Sequence, residues 1–339
     1  MEKESFPEET RTIQTFFFEA RFTNKGGNID RLVLKPYSYE IPVSQLLGLD
    51  AFKNKPFSFT VVNNKEVELT YSGNGWKVIK KYLFNGPWII DAKVEIVNTA
   101  DNAVDSGISV HPIRLDLSRL DNDSIKHDWT LFEYSILSDK KVIRKGSALN
   151  FNDKWNKKES GSFKWIAFRD RYFATIVYSE EPFMEYEVTA MGEKDLLLSA
   201  QFPLDKTSYN QGMAREFVIY AGPQLQDTLK SAGKGFEKIM VFSDWGWLDA
   251  ISKGIYWLLG FTHKIVHSWG ICIILISLIV YGAMYPLTLK SMLSMKRMQV
   301  LQPKIAELKE KHKKNPEKVN QEVLELYKKH QVNPLSGLT

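Results

Sequence analysis

The sequence of 339 residues contains a single cysteine, Cys272. One thiol excludes an internal disulfide framework and any cysteine-based metal site within one chain. The six histidines are scattered, and none stands in ligand spacing beside an acid. Thirteen prolines and 20 glycines are too few for a low-complexity chain. Long apolar runs are also scarce. Only Trp269 to Leu289 runs for 21 residues without a charge, and a mean hydropathy of −0.27 argues against many membrane crossings. Charge of one sign is scarce everywhere except the tail. Residues 290–339 hold 11 basic and 5 acidic side chains, a net +6, whereas the remainder, with 34 basic and 35 acidic, is −1. The basic character belongs to the tail alone, so DNA is not an expected partner.

What the chain does have is aromatic content, 13% of residues, which suits β-structure and membrane interfaces. From about residue 10 to 225 it reads as short strands punctuated by turns. "RTIQTFFFEARFTNKGGNIDRLVLKPY" holds two runs around a turn cluster at Asn24 to Asn28. "FSFTVVNNKEVELTYSG" turns at Asn63-Asn64, after which Val67, Leu69 and Tyr71 alternate. Regular turn signals between such runs predict an antiparallel two-sheet fold, enlarged beyond a simple sandwich. The β domain is expected over 8–225, followed by a helical linker over 226–243.

The pattern then changes to helical spacing. Residues 244–267 predict an amphipathic helix, capped by Asp244, whose aromatic side lies in a membrane interface. Its expected anchors are Trp245, Trp247 and Trp257, with Trp269 following. Core packing is the plainer reading of the same aromatics. Residues 269–289 fit one transmembrane helix, because 21 residues rising about 1.5 Å each match the roughly 30 Å of bilayer hydrocarbon. The lysines that follow place that end in the cytoplasm and the β domain in a periplasm-like space. "MEKESFP" carries no signal or anchor segment, so an N-terminal anchor is expected to precede this sequence.

Within the span, Ser277, Tyr281, Tyr285 and Thr288 recur at spacings that share one helical face. Polar groups are costly in hydrocarbon unless they meet protein or water, which makes this face a candidate substrate groove. The plainer reading is that hydroxyls bond their own backbone and tyrosines anchor at the interface. Pro286 removes one helical hydrogen bond and is expected to bend the helix. Over 290–332 an antiparallel hairpin is expected. Its first helix carries a stripe of Met292, Met295, Met298, Leu301, Ile305 and Leu308, "KKNPEK" forms the turn, and Val319, Val323, Leu326 and His330 form a second stripe. The methionines serve as seam packing or as adaptable contacts, and Lys296 and Arg297 as cytoplasmic contacts. Residues 333–339 read as the start of a further span.

These residues resemble the YidC/Oxa/Alb family of membrane-protein insertases, in its Gram-negative-type form. "MYPLTLKSMLSMKRMQVLQPKI" is similar to that family's first core span and its cytoplasmic hairpin, and "YKKHQVNPLSG" to the entry of the next span. "FTNKGGNIDRLVLKPY", "KWIAFRDRYF" and "YAGP" resemble markers of its periplasmic domain, and "DWGWLDAISKGIYWLL" its interfacial helix. The resemblance implies a β-supersandwich similar to carbohydrate-binding domains and a five-span core around a hydrophilic groove. It implies insertion and chaperoning of membrane proteins without nucleotide, metal or other cofactor, and without enzymatic chemistry. The implied partners are nascent membrane proteins, the Sec translocon, the ribosome and signal-recognition receptor at the basic hairpin, and the phospholipid bilayer. Where the family has a groove arginine, four residues before the tyrosine of "MYP", this chain has Tyr281. Four further spans are expected beyond Gly337. Two other readings follow from the residues: a single-span receptor, and a tethered carbohydrate-binding β domain for which Asp91, Glu95 and His111 are the nameable polar residues.

Overall fold

A computed structural model describes residues 6–100, 109–116, 133–139, 141–145, 156–192, 195–201, 212–243, 245–311 and 316–329. Asp244, His330 and 333–339, singled out in the sequence, lie outside the described residues. The chain divides into two units, Met1–Met240 and Val241–Thr339.

The first unit is built of antiparallel strands: β1 (Thr10–Gln14), β2 (Phe18–Thr23), β3 (Asn28–Leu34), β4 (Tyr39–Ile41), β5 (Val43–Leu49) and β6 (Ser58–Val62). Then come β7 (Glu66–Gly73), β8 (Trp76–Phe84), β9 (Ile89–Asn98), β10 (Ser109–Asp116), β11 (Glu133–Ser138) and β12 (Val142–Lys145). The last four are β13 (Asn156–Arg169), β14 (Phe173–Gly192), β15 (Asp195–Gln201) and β16 (Gly212–Pro223). The hydrogen-bonded order runs β1-β2-β3-β5-β10-β15-β14-β16-β9-β8-β7-β6. Strand β16, last in sequence, therefore sits in the middle, between β14 and β9.

Alternation makes this sheet two-faced. Strand β9 reads half-buried then buried at every step, because side chains on a strand alternate sides. The inner face folds over on itself: Phe22 of β2 meets Tyr82 of β8 with ring centroids 5.2 Å apart, and Phe18 meets Phe84 at 5.9 Å. Strands distant in the hydrogen-bonded order thus face each other, which makes the expected sandwich.

Lys80 occupies this interior. Strand β8 points Val78, Lys80 and Tyr82 inward, and Lys80 is fully buried. Its ammonium donates to the carbonyls of Gly26 and Leu47, each at 2.8 Å, and to Asn28 Oδ1 at 2.9 Å. It also lies over the Phe57 ring, 5.4 Å from the centroid. The side chain crosses the sandwich and satisfies the "KGGN" turn, where Gly26 and Gly27 take positive φ, and Leu47, a non-glycine residue at φ 53°.

The opposite half is closed by Trp88 against Gly222. An added Cβ at Gly222 would stand 2.7 Å from Trp88 Cγ. Trp88 is itself buried at φ 66° and has little freedom to retreat. Gly222→Ala is expected to lower stability by about 1–3 kcal/mol, the usual cost of overpacking, read as a shift in urea midpoint at unchanged slope.

Residues 226–240 pack into this core and form no separate linker. Helix α1 (Gln226–Ala232) buries Leu229, and a 3-10 turn at Phe236–Ile239 buries Phe236 and Ile239. Arg169 at the end of β13 holds this segment in place. Its guanidinium donates to Glu133, to Gln224 Oε1 at 3.2 Å and to the Ile239 carbonyl at 3.0 Å.

In the second unit, α2 (Gly246–Val266) ends at His267 in a left-handed conformation, φ 57°. Helix α3 (Trp269–Lys311) follows, and α4 (Pro316–Lys329) packs against it. The helix continues across residue 290, where the sequence places only the end of the apolar span. Helix α3 runs unbroken for 43 residues through both Pro286 and Pro303, because each proline removes only one backbone donor and the flanking bonds persist.

Candidate functional site

The apolar half of α3 is the described helix long and apolar enough to cross a membrane. Cys272 and Ile276, one turn apart, are its buried positions there. At about 100° per residue, Ser277, Tyr281, Tyr285 and Thr288 fall on roughly the opposite side of the helix. Tyr281 is 70% and Tyr285 51% exposed, with their rings 6.4 Å apart. The two hydroxyls bond their own helix. Ser277 Oγ donates to the Ile273 carbonyl at 2.8 Å and Thr288 Oγ1 to the Met284 carbonyl at 3.1 Å. The stripe is therefore two internally satisfied hydroxyls and two outward phenols on an apolar rod. Helices tolerate Ser and Thr in apolar surroundings through such back-bonds.

Helix α2 has no buried residue. Trp247, Leu248, Ile251, Ile255 and Phe261 are exposed, while Asp249 and Lys253 pair on its polar side at 2.7 Å. Trp245 and Trp257 are 66% exposed. Trp269 is exposed but stacks on His263, centroids 3.7 Å apart. Desolvation is the largest single influence on the Asp249 carboxylate and pulls its pKa up, but the bond from Lys253, the bond it accepts from the Phe242 N–H and the charge of Lys253 together hold it below the usual carboxylate range.

Beyond residue 290, Leu301 is buried and Met298, Ile305 and Leu308 are half-buried, matched by half-buried Val319, Val323 and Leu326 on α4. Met292 and Met295 are exposed. Lys296, Arg297 and Lys304 line a shallow basic groove with Val300 and Leu301. Seam packing accounts for Met298 but not for Met292 or Met295.

Asp91, Glu95 and His111 do not come together. Asp91 accepts from Asn85 and Glu95 pairs with Lys93 on β9, whereas His111 lies on β10, between β5 and β15. There it borders a polar cleft of about 610 Å³ that also holds Asp50, Arg114, Glu187 and Ser199. His111 Nδ1 is 2.8 Å from Ser199 Oγ and Nε2 is 3.4 Å from the Asp50 carboxylate. Burial lowers the imidazole pKa, against the opposing pull of Asp50. Ser199 is buried and Asp50 exposed, the reverse of what a serine nucleophile and its orienting acid require. The partners of His111 are 61 and 88 positions away in sequence, so no local spacing announced them. Among the described residues no cluster of His, Cys, Asp and Glu suits a metal ion.

Residues 49–258 match the family described as YidC periplasmic domain, well over half of the chain. The chain belongs to the YidC family. Residues 261–339 match a second description, 60Kd inner membrane protein, so YidC-type chains are inner-membrane proteins with a periplasmic domain. The YidC membrane protein insertase of Methylobacillus flagellatus is 30% identical over 277 residues, 80% of this chain and 49% of that protein. That of Geobacter sp. strain M21 is 30% identical over 355 residues, 96% of this chain and 65% of that protein. The chain thus spans about half to two thirds of the length of these YidC relatives. A galactose mutarotase-like protein from Lactobacillus casei superposes with a TM-score of 0.50 at 9% identity, over 63% of this chain and all of that one. That likeness is of fold alone.

Proposed function

We propose that this chain supplies the periplasmic domain, the first core span and the cytoplasmic hairpin of a membrane-protein insertase and chaperone that works without nucleotide hydrolysis. The observation that carries the reading is the outward stripe on α3. Two phenols and two self-bonded hydroxyls lie on an apolar rod, opposite the Cys272–Ile276 side that is buried. On a lipid-facing surface such a stripe gains nothing. Along a groove it gives a hydrophilic segment of a substrate hydrogen-bonding partners partway into the membrane. Pro286 lies between Tyr285 and Thr288 in sequence but on the other side of the helix. The aromatic face of α2, with Trp245, Trp247, Trp257 and Trp269, anchors at the outer interface.

In this reading α3 beyond Lys290 and α4 lie in the cytoplasm. Met292, Met295, Lys296 and Arg297, exposed on one helix, offer adaptable apolar and basic contacts to the ribosome and signal-recognition receptor, and the Sec translocon is a membrane partner. Nascent membrane proteins are the substrates.

The test is site-specific photo-crosslinking in the longer protein, with a probe at Tyr281 and a ribosome-bound chain carrying one apolar span. Crosslinks at Tyr281 and none at Ile279 are expected. Failure at Tyr281, with crosslinks from a probe at the neighbouring stripe position Ser277 appearing only after Tyr281→Arg, would mean that a cation is needed for capture. Equal crosslinking at both positions would remove the groove.

A further inference from the structure

Turns at one end of the β unit carry exposed aromatics that its core does not use. Phe16, in the β1–β2 turn, is 79% exposed, Tyr172, in the β13–β14 turn, is 62% exposed, and Tyr37, between β3 and β4, is 47% exposed. Leu225, just past β16, is 52% exposed. They form one patch. Phe16 meets Phe17 at 5.0 Å between centroids, and Phe17 meets Trp88 at 4.9 Å. Trp88 meets Tyr37 at 5.6 Å, and Tyr37 meets Phe173 at 5.1 Å. The Gln224 N–H donates to the Tyr172 carbonyl at 2.8 Å, which brings Leu225 to the same rim. Two cations border the patch: Lys35 is exposed beside Tyr37, and the Arg171 guanidinium stands 5.8 Å from the Tyr172 ring centroid.

The turns are stiff supports. Asp170 accepts from the N–H groups of Tyr172 and Phe173 and from the Tyr39 hydroxyl at 2.6 Å. An exposed cluster of large aromatics held out by a rigid scaffold marks an interaction surface. Position in the chain decides the occupant. Arg169 ties the Ile239 carbonyl to Gln224, so the polypeptide leaves this unit beside the patch. The apolar span then begins at Trp269, after one aromatic helix.

We propose that this end of the β unit, formed by Phe16, Tyr37, Tyr172 and Leu225 with Lys35 and Arg171, sits in the headgroup layer of the bilayer that α3 crosses. The chemistry fits a lipid surface. Amphipathic rings favour the headgroup level, and the two cations favour anionic headgroups. The inference rests on reading α3 as a membrane span.

Full chain carrying Cys272→Ser is reconstituted in phosphatidylethanolamine–phosphatidylglycerol vesicles. Single cysteines labelled with an environment-sensitive fluorophore replace Phe16, Tyr172, Ser72 or Ile274, and quenching by headgroup-spin-labelled and chain-spin-labelled lipid is read. Ser72 lies at the far end of β7 and Ile274 within the span. Loss of fluorescence to headgroup quencher at 16 and 172, to chain quencher at 274, and no loss at 72 is the expected result. Adding Lys35→Gln and Arg171→Gln should weaken quenching at 16 and 172 without changing 274. Quenching at 274 but not at 16 or 172 overturns the proposal and leaves the span intact. Absence of quenching at 274 overturns the span and this inference with it.

Discussion

Lys80→Ala will destabilise the β unit by about 3–5 kcal/mol, because truncating a large buried side chain to alanine costs about 2–5 kcal/mol and orphaned buried acceptors add to that loss. The change leaves the Gly26 and Leu47 carbonyls and Asn28 Oδ1 without their common donor and opens a cavity between the sandwich halves. Lys80→Met fills the space but not the hydrogen bonds, so it should recover part of the loss. Burial also drags the pKa of this lysine from 10.5 down to about 7. Between those values the unfolded chain binds the proton more readily than the folded one, so this group's contribution to stability grows as pH rises from 7 towards 10.5 and is least below 7. Urea midpoints measured across that window should rise for the parent relative to Lys80→Met. A flat difference would mean that the three oxygens hold the ammonium charged throughout.

Arg169→Ala comes second in size. It removes the donor shared by Glu133, Gln224 and Ile239, and an orphaned buried partner costs about 1–3 kcal/mol. The effect should reach the upper part of that range and no further, because Arg144 still lies 3.3 Å from the Glu133 carboxylate. The loss should be local. Hydrogen exchange over 226–240 should speed up, while β7, β8 and β9 keep their protection. Uniform acceleration across the sheet would show that the arginine supports the whole fold and not this segment.

Much of the β unit could be read from parity and turns. The Asn63-Asn64 turn and the alternation of Val67, Leu69 and Tyr71 predict β6 and β7 as they stand. Lys80 was also within reach, since it shares the phase of Val78 and Tyr82. Charge argued for the surface and parity for the core, and only contact with a turn 52 residues away decides between them. The packing of 226–240 was hidden for the same reason. Leu229 and Phe236 look like any amphipathic spacing until Arg169 and the core of another segment are in place. Pro286 reads as a bend within a continuing helix, and the helix does continue through it. The stripe on α3 was legible as spacing. What spacing could not give was the internal bonding of Ser277 and Thr288, which leaves the two tyrosines as its outward polar groups.

The central position of β16 has a kinetic consequence. Strand β9 pairs only with β8 and β16, and β14 shares an edge with β16. A chain that emerges amino end first can form its early hairpins and the Lys25–Pro56 bridge, but β9 and β14 stay unlinked along their edges until Pro223 is free. Contacts of such long sequence separation form slowly. Face-to-face packing within residues 18–84 can form early, but the hydrogen-bonded joint between β9 and β14 is completed only when the apolar span of α3 is close behind, and until then those two strands present open edges that a waiting holdase would have to shield.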